Sequence, residues 1–203
     1  MISAHAHSPL HLQFKGDRTY LHGSDMYNSI TQHVTVFAQD ASAYVNKMIF
    51  RQLARHDCDL WMDPPEDAAR LIANGSYRLE DGSTLPYWVV ETERLVGGRY
   101  AFDEDAIVSS ALFDDRSITM TQRTSYSPIE EIIALNKALN YRLMPKVSGK
   151  WLFGQLTMQQ ALRRNDQPIK ISMRSAISGR FSVSDIEMGE HMAGEIRFVV
   201  GQP

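Results

Sequence analysis

The chain has 203 residues, 43% hydrophobic and 22% charged, with a net charge of −3 from 21 basic and 24 acidic side chains. That is the composition of a globular chain able to bury its own core, and with Arg163-Arg164 the only basic pair it lacks the footprint of a nucleic-acid-binding surface. Cys58 stands alone, which excludes an intrachain disulfide, and no apolar run approaches the about 20 residues that cross a bilayer.

Residues 1–9 read as a mobile N-terminal tail. Met1 to Gln13 has neither a basic opening nor a continuous apolar stretch, so it does not read as a secretory signal, and the expectation is a cytoplasmic protein. From Leu10 to Leu21, Leu12 and Phe14 alternate with His11, Gln13 and Lys15, and Lys15-Gly16-Asp17 supplies turn chemistry; this predicts a hairpin or a bent strand. His22-Gly23-Ser24-Asp25 is a helix start, because a Ser or Asp side chain accepts from the first free amides. Met26, Ile30, Val34 and Phe37 then follow helical spacing, with His33 beside that face.

Pro64 to Ile72 reads as a short helix, and Ser76–Glu80 and Thr84–Leu95 as strands around Asp81-Gly82. Ala106 to Phe113 reads as a strand turned at Asp114-Asp115 and continued from Arg116 to Gln122. Ser127-Pro128-Ile129-Glu130 is a capping box with proline at the first helical position. Ile129, Ile132, Ile133, Leu139 and Leu143 form one stripe, ended by Met144-Pro145. Three further alternating strands are expected at 169–176, 181–186 and 195–200.

The chain repeats itself after each helix. Lys47-Met48-Ile49-Phe50-Arg51-Gln52-Leu53 matches Lys150-Trp151-Leu152-Phe153-Gly154-Gln155-Leu156 at Lys, Phe, Gln and Leu. Upstream, Phe14-Lys15-Gly16-Asp17-Arg18 is similar to Phe113-Asp114-Asp115-Arg116. The expectation is an α+β protein of two related halves, 10–104 and 105–203. In each half a lone amphipathic helix is buried most simply if a curved antiparallel sheet wraps around it. This order of elements resembles the hot-dog fold, and two copies in one chain resemble the double hot-dog of thioesterases and dehydratases.

The resemblance implies a ligand of the acyl-coenzyme A or acyl-carrier type and no cofactor. In that family the thioester carbonyl is held by an amide at the central helix's N-terminus, where free amides and the dipole favour negative charge. Carried onto this chain, Gly23 and Ser24 would contact substrate, and His22 or Asp25 would move a proton; the plain alternative is that Ser24 or Asp25 caps the helix and His22 is solvated. Tyr126-Ser127-Pro128 in the second half offers neither group. Counted back from Phe50 and Phe153, His33 and Asn136 occupy the same helix position, which makes Asn136 a further candidate catalytic residue and His33 a substrate contact; each could instead satisfy a strand carbonyl. Glu131 reads as pointing outward, and the three tryptophans as core anchors.

The dehydratase pattern of His followed by Phe-Pro-Gly and the hydratase pattern around Asn-Pro-Leu are both missing. His5, His7 and His11 are spaced like a metal cluster but lack a neighbouring acid, so no metal is assigned. Three readings stay open: an acyl-thioester enzyme or binder, a non-catalytic scaffold or interaction module (a homo-oligomer included), and an unduplicated α+β fold.

Overall fold

A computed structural model describes residues 7–203. The chain divides into two compact units at Phe102/Asp103. The first six residues, and His5 with them, lie outside the described part.

In the first unit the described elements are β1 (His7–Pro9), β2 (Phe14–Lys15), α1 (Gly23–Phe37), β3 (Tyr44–Phe50), β4 (Cys58–Trp61), a 3-10 turn (Ala68–Arg70), β5 (Leu71–Arg78), β6 (Thr84–Glu91) and β7 (Arg99–Tyr100). Strands β1-β4-β6-β5-β3 lie in that order and are antiparallel throughout. The hairpin expected over 10–21 does not form. His7–Pro9, inside the stretch read as a tail, pairs with β4, and β2 runs parallel to β7 with Phe14 opposite Arg99. The turn at Gly16, in the left-handed region at φ 58, then leads the chain directly towards α1.

The helix expected at 64–72 shrinks to the 3-10 turn, capped by Asp67, whose side chain accepts from Ala69 N; Leu71 and Ile72 already belong to β5.

Helix α1 buries Met26, Tyr27, Ile30 and Val34 and packs on β3. Each such apolar side chain contributes about 1.5–3 kcal/mol by leaving water. The sheet's inner face carries Val45, Met48, Leu60, Ala73, Tyr87 and Val89, all fully buried. Gly75 pairs with Met48, one step from the bulge of β3 between Val45 and Lys47, and a Cβ there would stand 1.9 Å from Lys47 O. Only glycine lets the two backbones approach so closely.

The second unit holds α2 (Glu104–Val108), β8 (Leu112–Asp114), β9 (Ser117–Met120), α3 (Pro128–Leu143), β10 (Lys150–Met158), β11 (Ile169–Ile177), β12 (Phe181–Met188) and β13 (His191–Gly201). Its strand order is β10-β13-β12-β11-β9-β8. The strand expected from Ala106 is instead helix α2. Asp103 caps it, Oδ1 accepting from Ala106 N at 3.0 Å, and Glu104 and Asp105 in its first turn favour the positive end of the dipole.

Helix α3 begins as expected, with Glu130 Oε2 accepting from Ser127 N at 2.8 Å and from Ser127 Oγ at 2.7 Å. It packs on α2 and across β9, β10, β11 and β12. In each unit the strand that follows the long helix (β3, β10) stands at one end of that unit's order, and the next in sequence (β4, β11) pairs with a strand that precedes the helix. The two strands between are exchanged: β5 then β6 in the first unit, β13 then β12 in the second.

Candidate functional site

At the start of α1 the N-cap is His22, not Ser24 or Asp25; its Nδ1 accepts from Ser24 N at 3.4 Å and lies 2.8 Å from Ser24 Oγ. Gly23 is the first helical residue. Beneath this turn lies Lys15, fully buried. Its Nζ donates to Ser24 Oγ and to Asp25 Oδ1, each at 2.8 Å. Asp25 also accepts from Ser24 Oγ at 3.1 Å and, through Oδ2, from the Tyr100 hydroxyl at 2.8 Å. The Lys15 ammonium sits 4.2 Å from the centroid of the Phe102 ring, a favourable cation–π distance.

The structure thus brings His22, Ser24 and Asp25 together, with Lys15 and Tyr100 added. A cation at a helix N-terminus opposes the dipole, and the Asp25 carboxylate compensates for both. Both Asp25 oxygens face the protein's own donors, and Ser24 is fully buried. The arrangement holds β2, α1 and β7 to one another. His33 lies further along α1, half-buried, its Nδ1 2.8 Å from Ser29 O one turn earlier.

The interior of the second unit is different. Asn136 is fully buried on the inward face of α3, and neither its Nδ2 nor its Oδ1 has a hydrogen-bond partner among the described residues. Asn140, one turn on, donates from Nδ2 to Asn136 O at 2.7 Å, while its Oδ1 is unmatched. On β12, Ser182 and Ser184 share a buried face with Ile186 and Met188, and both serine hydroxyls are unmatched, as is Trp151 Nε1 on β10. Buried polar groups are nearly always paired, and these neutral donors and acceptors on α3, β10 and β12 depart from that rule. The buried apolar core of the same unit includes Ile129, Ile132, Ile133, Leu139, Ile196 and Phe198.

Glu131, expected to point outward, is fully buried. Its Oε2 accepts from Arg123, with Nε at 2.7 Å and Nη2 in contact as well. Its Oε1 accepts from Thr124 N and Thr124 Oγ1, both at 2.8 Å. The carboxylate is consumed in anchoring the helix start. Cys58 is buried and reduced; desolvation, then the charges of Glu91, Asp57 and Asp59, push its thiol well above the usual range, the opposite of an activated nucleophile. His7 stacks on Trp61 and pairs with Asp59 Oδ2 at 3.2 Å, while His11 lies 4.0 Å from Asp57. Among the described residues no group of three or more metal-ligating side chains occurs, and no helix is long and apolar enough to cross a membrane.

No family model matches the sequence, and no curated protein matches it. Solved structures similar to the chain include the dehydratase domain of RzxB from Pseudomonas fluorescens, 11% identical, covering 96% of this chain and 91% of that one with a TM-score of 0.48. The dehydratase domain of PpsC from Mycobacterium tuberculosis, solved in complex with C12:1-CoA, is 11% identical and covers 96% of this chain and 92% of that one at a TM-score of 0.49. A protein described as a thioesterase II from Thermobifida fusca YX is 13% identical, with coverage of 96% and 90% and a TM-score of 0.46. At these values no residue role passes from those proteins to this one.

Proposed function

We propose that the chain takes up an acyl thioester, of coenzyme A or of a carrier protein, beneath α3, on two hot-dog-like repeats each built around its long helix. The observation that carries this reading is Asn136: a fully buried amide with both ends unmatched among the described residues, set in apolar walls. An acyl tail needs apolar walls and a thioester carbonyl needs a donor at one point along them. Asn136 Nδ2 is that donor, and Oδ1 is an acceptor for a water or a ligand N–H. The ligand class itself comes from the resemblance in element order. The repeat reading is supported by the shared place of β3 and β10 and the matched segments at Lys47 and Lys150.

The groups in this strip are neutral amides, hydroxyls and an indole. They orient a carbonyl or a water, which suits binding or hydrolysis by a held water; the proton transfers of a dehydration call for an acid or base, and the strip holds neither. We assign His22, Ser24 and Asp25 to the clamp around Lys15, leaving Asn136 as the residue on which the chemistry turns.

The test is a panel of short, medium and long acyl-coenzyme A esters, followed by calorimetry and by thiol release. At least one ester binds the wild type, and Asn136→Leu weakens that binding by about tenfold or more, the worth of one or two buried hydrogen bonds. The same experiment sinks the reading if no ester binds, or if Asn136→Leu binds as well as the wild type.

A further inference from the structure

On the outward face of the second unit's sheet, cross-strand partners set four apolar side chains in a row: Ile177 on β11 opposite Phe181 on β12, Phe181 opposite Val199 on β13, and Val199 opposite Leu152 on β10. Three strand spacings make the row about 14 Å long. The inward neighbours Trp151, Ser182 and Phe198 are buried, whereas Ile177 is 50% and Val199 36% exposed, and Leu152 and Phe181 are half-buried. Single apolar residues on a surface are ordinary; a contiguous row with a polar border is the form that an interaction site takes.

The charges that border the row are of one sign. Lys150 lies two residues before Leu152 and Arg197 two before Val199, so both share its face, one on each side of the row. Arg180 stands at its end, in the turn from Ile177 to Phe181. All three are exposed, and none makes an ion pair among the described residues. The Arg197 guanidinium lies 5.3 Å from the centroid of the Phe181 ring, a stacking that leaves its N–H edge available. From Ile132 to Ser184 the one acidic residue is Asp166, and none follows Glu195. Further along the same face the carboxylates are taken: Asp185 and Glu195 accept from Arg174, and Glu187 pairs with Lys170 at 3.3 Å. A second copy related by a two-fold axis would bring the same patch to itself, adding cations and no unpaired carboxylate. A flat anionic membrane laid on this face would meet Asp185, Glu187 and Glu195 as well, whereas a narrow segment along the row does not.

We propose that this row docks an acidic segment of a partner protein that also carries apolar side chains. The apolar side chains lie along Ile177, Val199 and Leu152, and the carboxylates reach Lys150, Arg180 and the outer edge of Arg197. Nothing in the acyl-thioester reading requires this surface, and the two stand or fall separately.

The probe is an acetylated, amidated twelve-residue peptide of four leucines and four glutamates among serines, titrated into the full chain and followed by amide NMR shifts. One control peptide replaces its glutamates by lysine, and another its leucines by serine. Expected are shifts confined to residues 150–153, 175–183 and 197–201, saturating at or below about 1 mM, weakened about fivefold or more by Arg180→Glu and by either control, and weakened again by raised salt. Ile177→Ser, at a half-exposed place, lowers the affinity while leaving the thermal midpoint near that of the wild type. The proposal is overturned if either control binds as tightly as the first peptide, if Arg180→Glu changes nothing, or if no shifts appear at several millimolar. It is overturned equally if phosphatidylglycerol vesicles hold the chain and Ile177→Ser releases it, or if sedimentation shows this face closing on a second copy.

Discussion

Asn136→Leu separates a residue held for a ligand from one held for the fold. Leucine keeps the branching of asparagine at Cγ and removes both amide atoms, neither of which has a partner among the described residues. A buried polar group left unpaired costs about 1–3 kcal/mol, so removing two returns about 2–6 kcal/mol. Fitting the slightly larger side chain into a packed interior takes back about 1–3 kcal/mol. With each range taken at its middle the variant is more stable by about 2 kcal/mol, which at about 2–4 °C per kcal/mol for a chain of this size raises the thermal midpoint by about 4–8 °C. Circular dichroism melting and urea titration measure it directly. A gain in stability accompanied by loss of acyl-ligand binding is the pattern of a site that trades stability for function. A midpoint lowered by several degrees would mean that the amide is bonded in the folded protein, and the argument from Asn136 would end there.

Lys15→Met leaves Asp25, 14% exposed, without its buried cation; breaking such a pair costs about 3–5 kcal/mol, less a discount for the partly wet carboxylate. Lys15→Met with Asp25→Asn recovers part of that loss in urea titration, and equal midpoints for the single and double variants would refute the clamp. Gly75→Ala drives a Cβ to 1.9 Å from Lys47 O and 2.7 Å from the Tyr87 hydroxyl. We expect a loss of about 2–4 kcal/mol, and a melting midpoint unchanged from wild type would show that the bulge at β3 yields freely. The Asp40 carboxyl is held below its ordinary 3.8 by the Ser42 hydroxyl first and then by the Glu80 and Ser42 amides. A lowered folded-state value means that this stabilisation is whole above the ordinary value and disappears as pH falls through the folded one. Asp40→Asn therefore has the lower urea midpoint at neutral pH, and the gap closes below about pH 4; a gap that persists in acid would assign the effect to something other than the charge.

What could be read from sequence follows the range of the interactions. Helix α3 was legible because Ser127, Pro128 and Glu130 act within one turn, and β11 and β12 because alternation and Gly179, at φ 70, are local signals. Local signals also compete. The β-like run from Ala106 lost to the Asp103 cap, and the start of α1 was placed correctly while its cap fell to His22. Lys15 read as a turn residue because its partners come from α1 and from Tyr100, far along the chain, and no local pattern reports them. Glu131 looked outward for the same reason, since Arg123 and Thr124 reach it only after the 121–127 segment folds back. Trp61 and Trp88 were expected in the core; their strand parity, fixed by Leu60 and Val89 facing inward, turns them the other way. The inward place of Asn136 follows from its spacing, four residues after Ile132 and three before Leu139, but whether anything bonds it depends on which side chains β10 and β12 bring against α3.

The Arg123–Glu131–Thr124 anchor has a consequence for how this interior can vary. A helix advances by roughly 100° per residue, so a cylinder gripped at its head by a buried ion pair cannot rotate to hide or reveal another side chain. The residue that faces the interior is thereby decided at the loop before the helix begins. The side chain at that inward place can change by a single substitution, whereas a single insertion between Glu131 and Asn136 would swing the amide away and bring its neighbour inward.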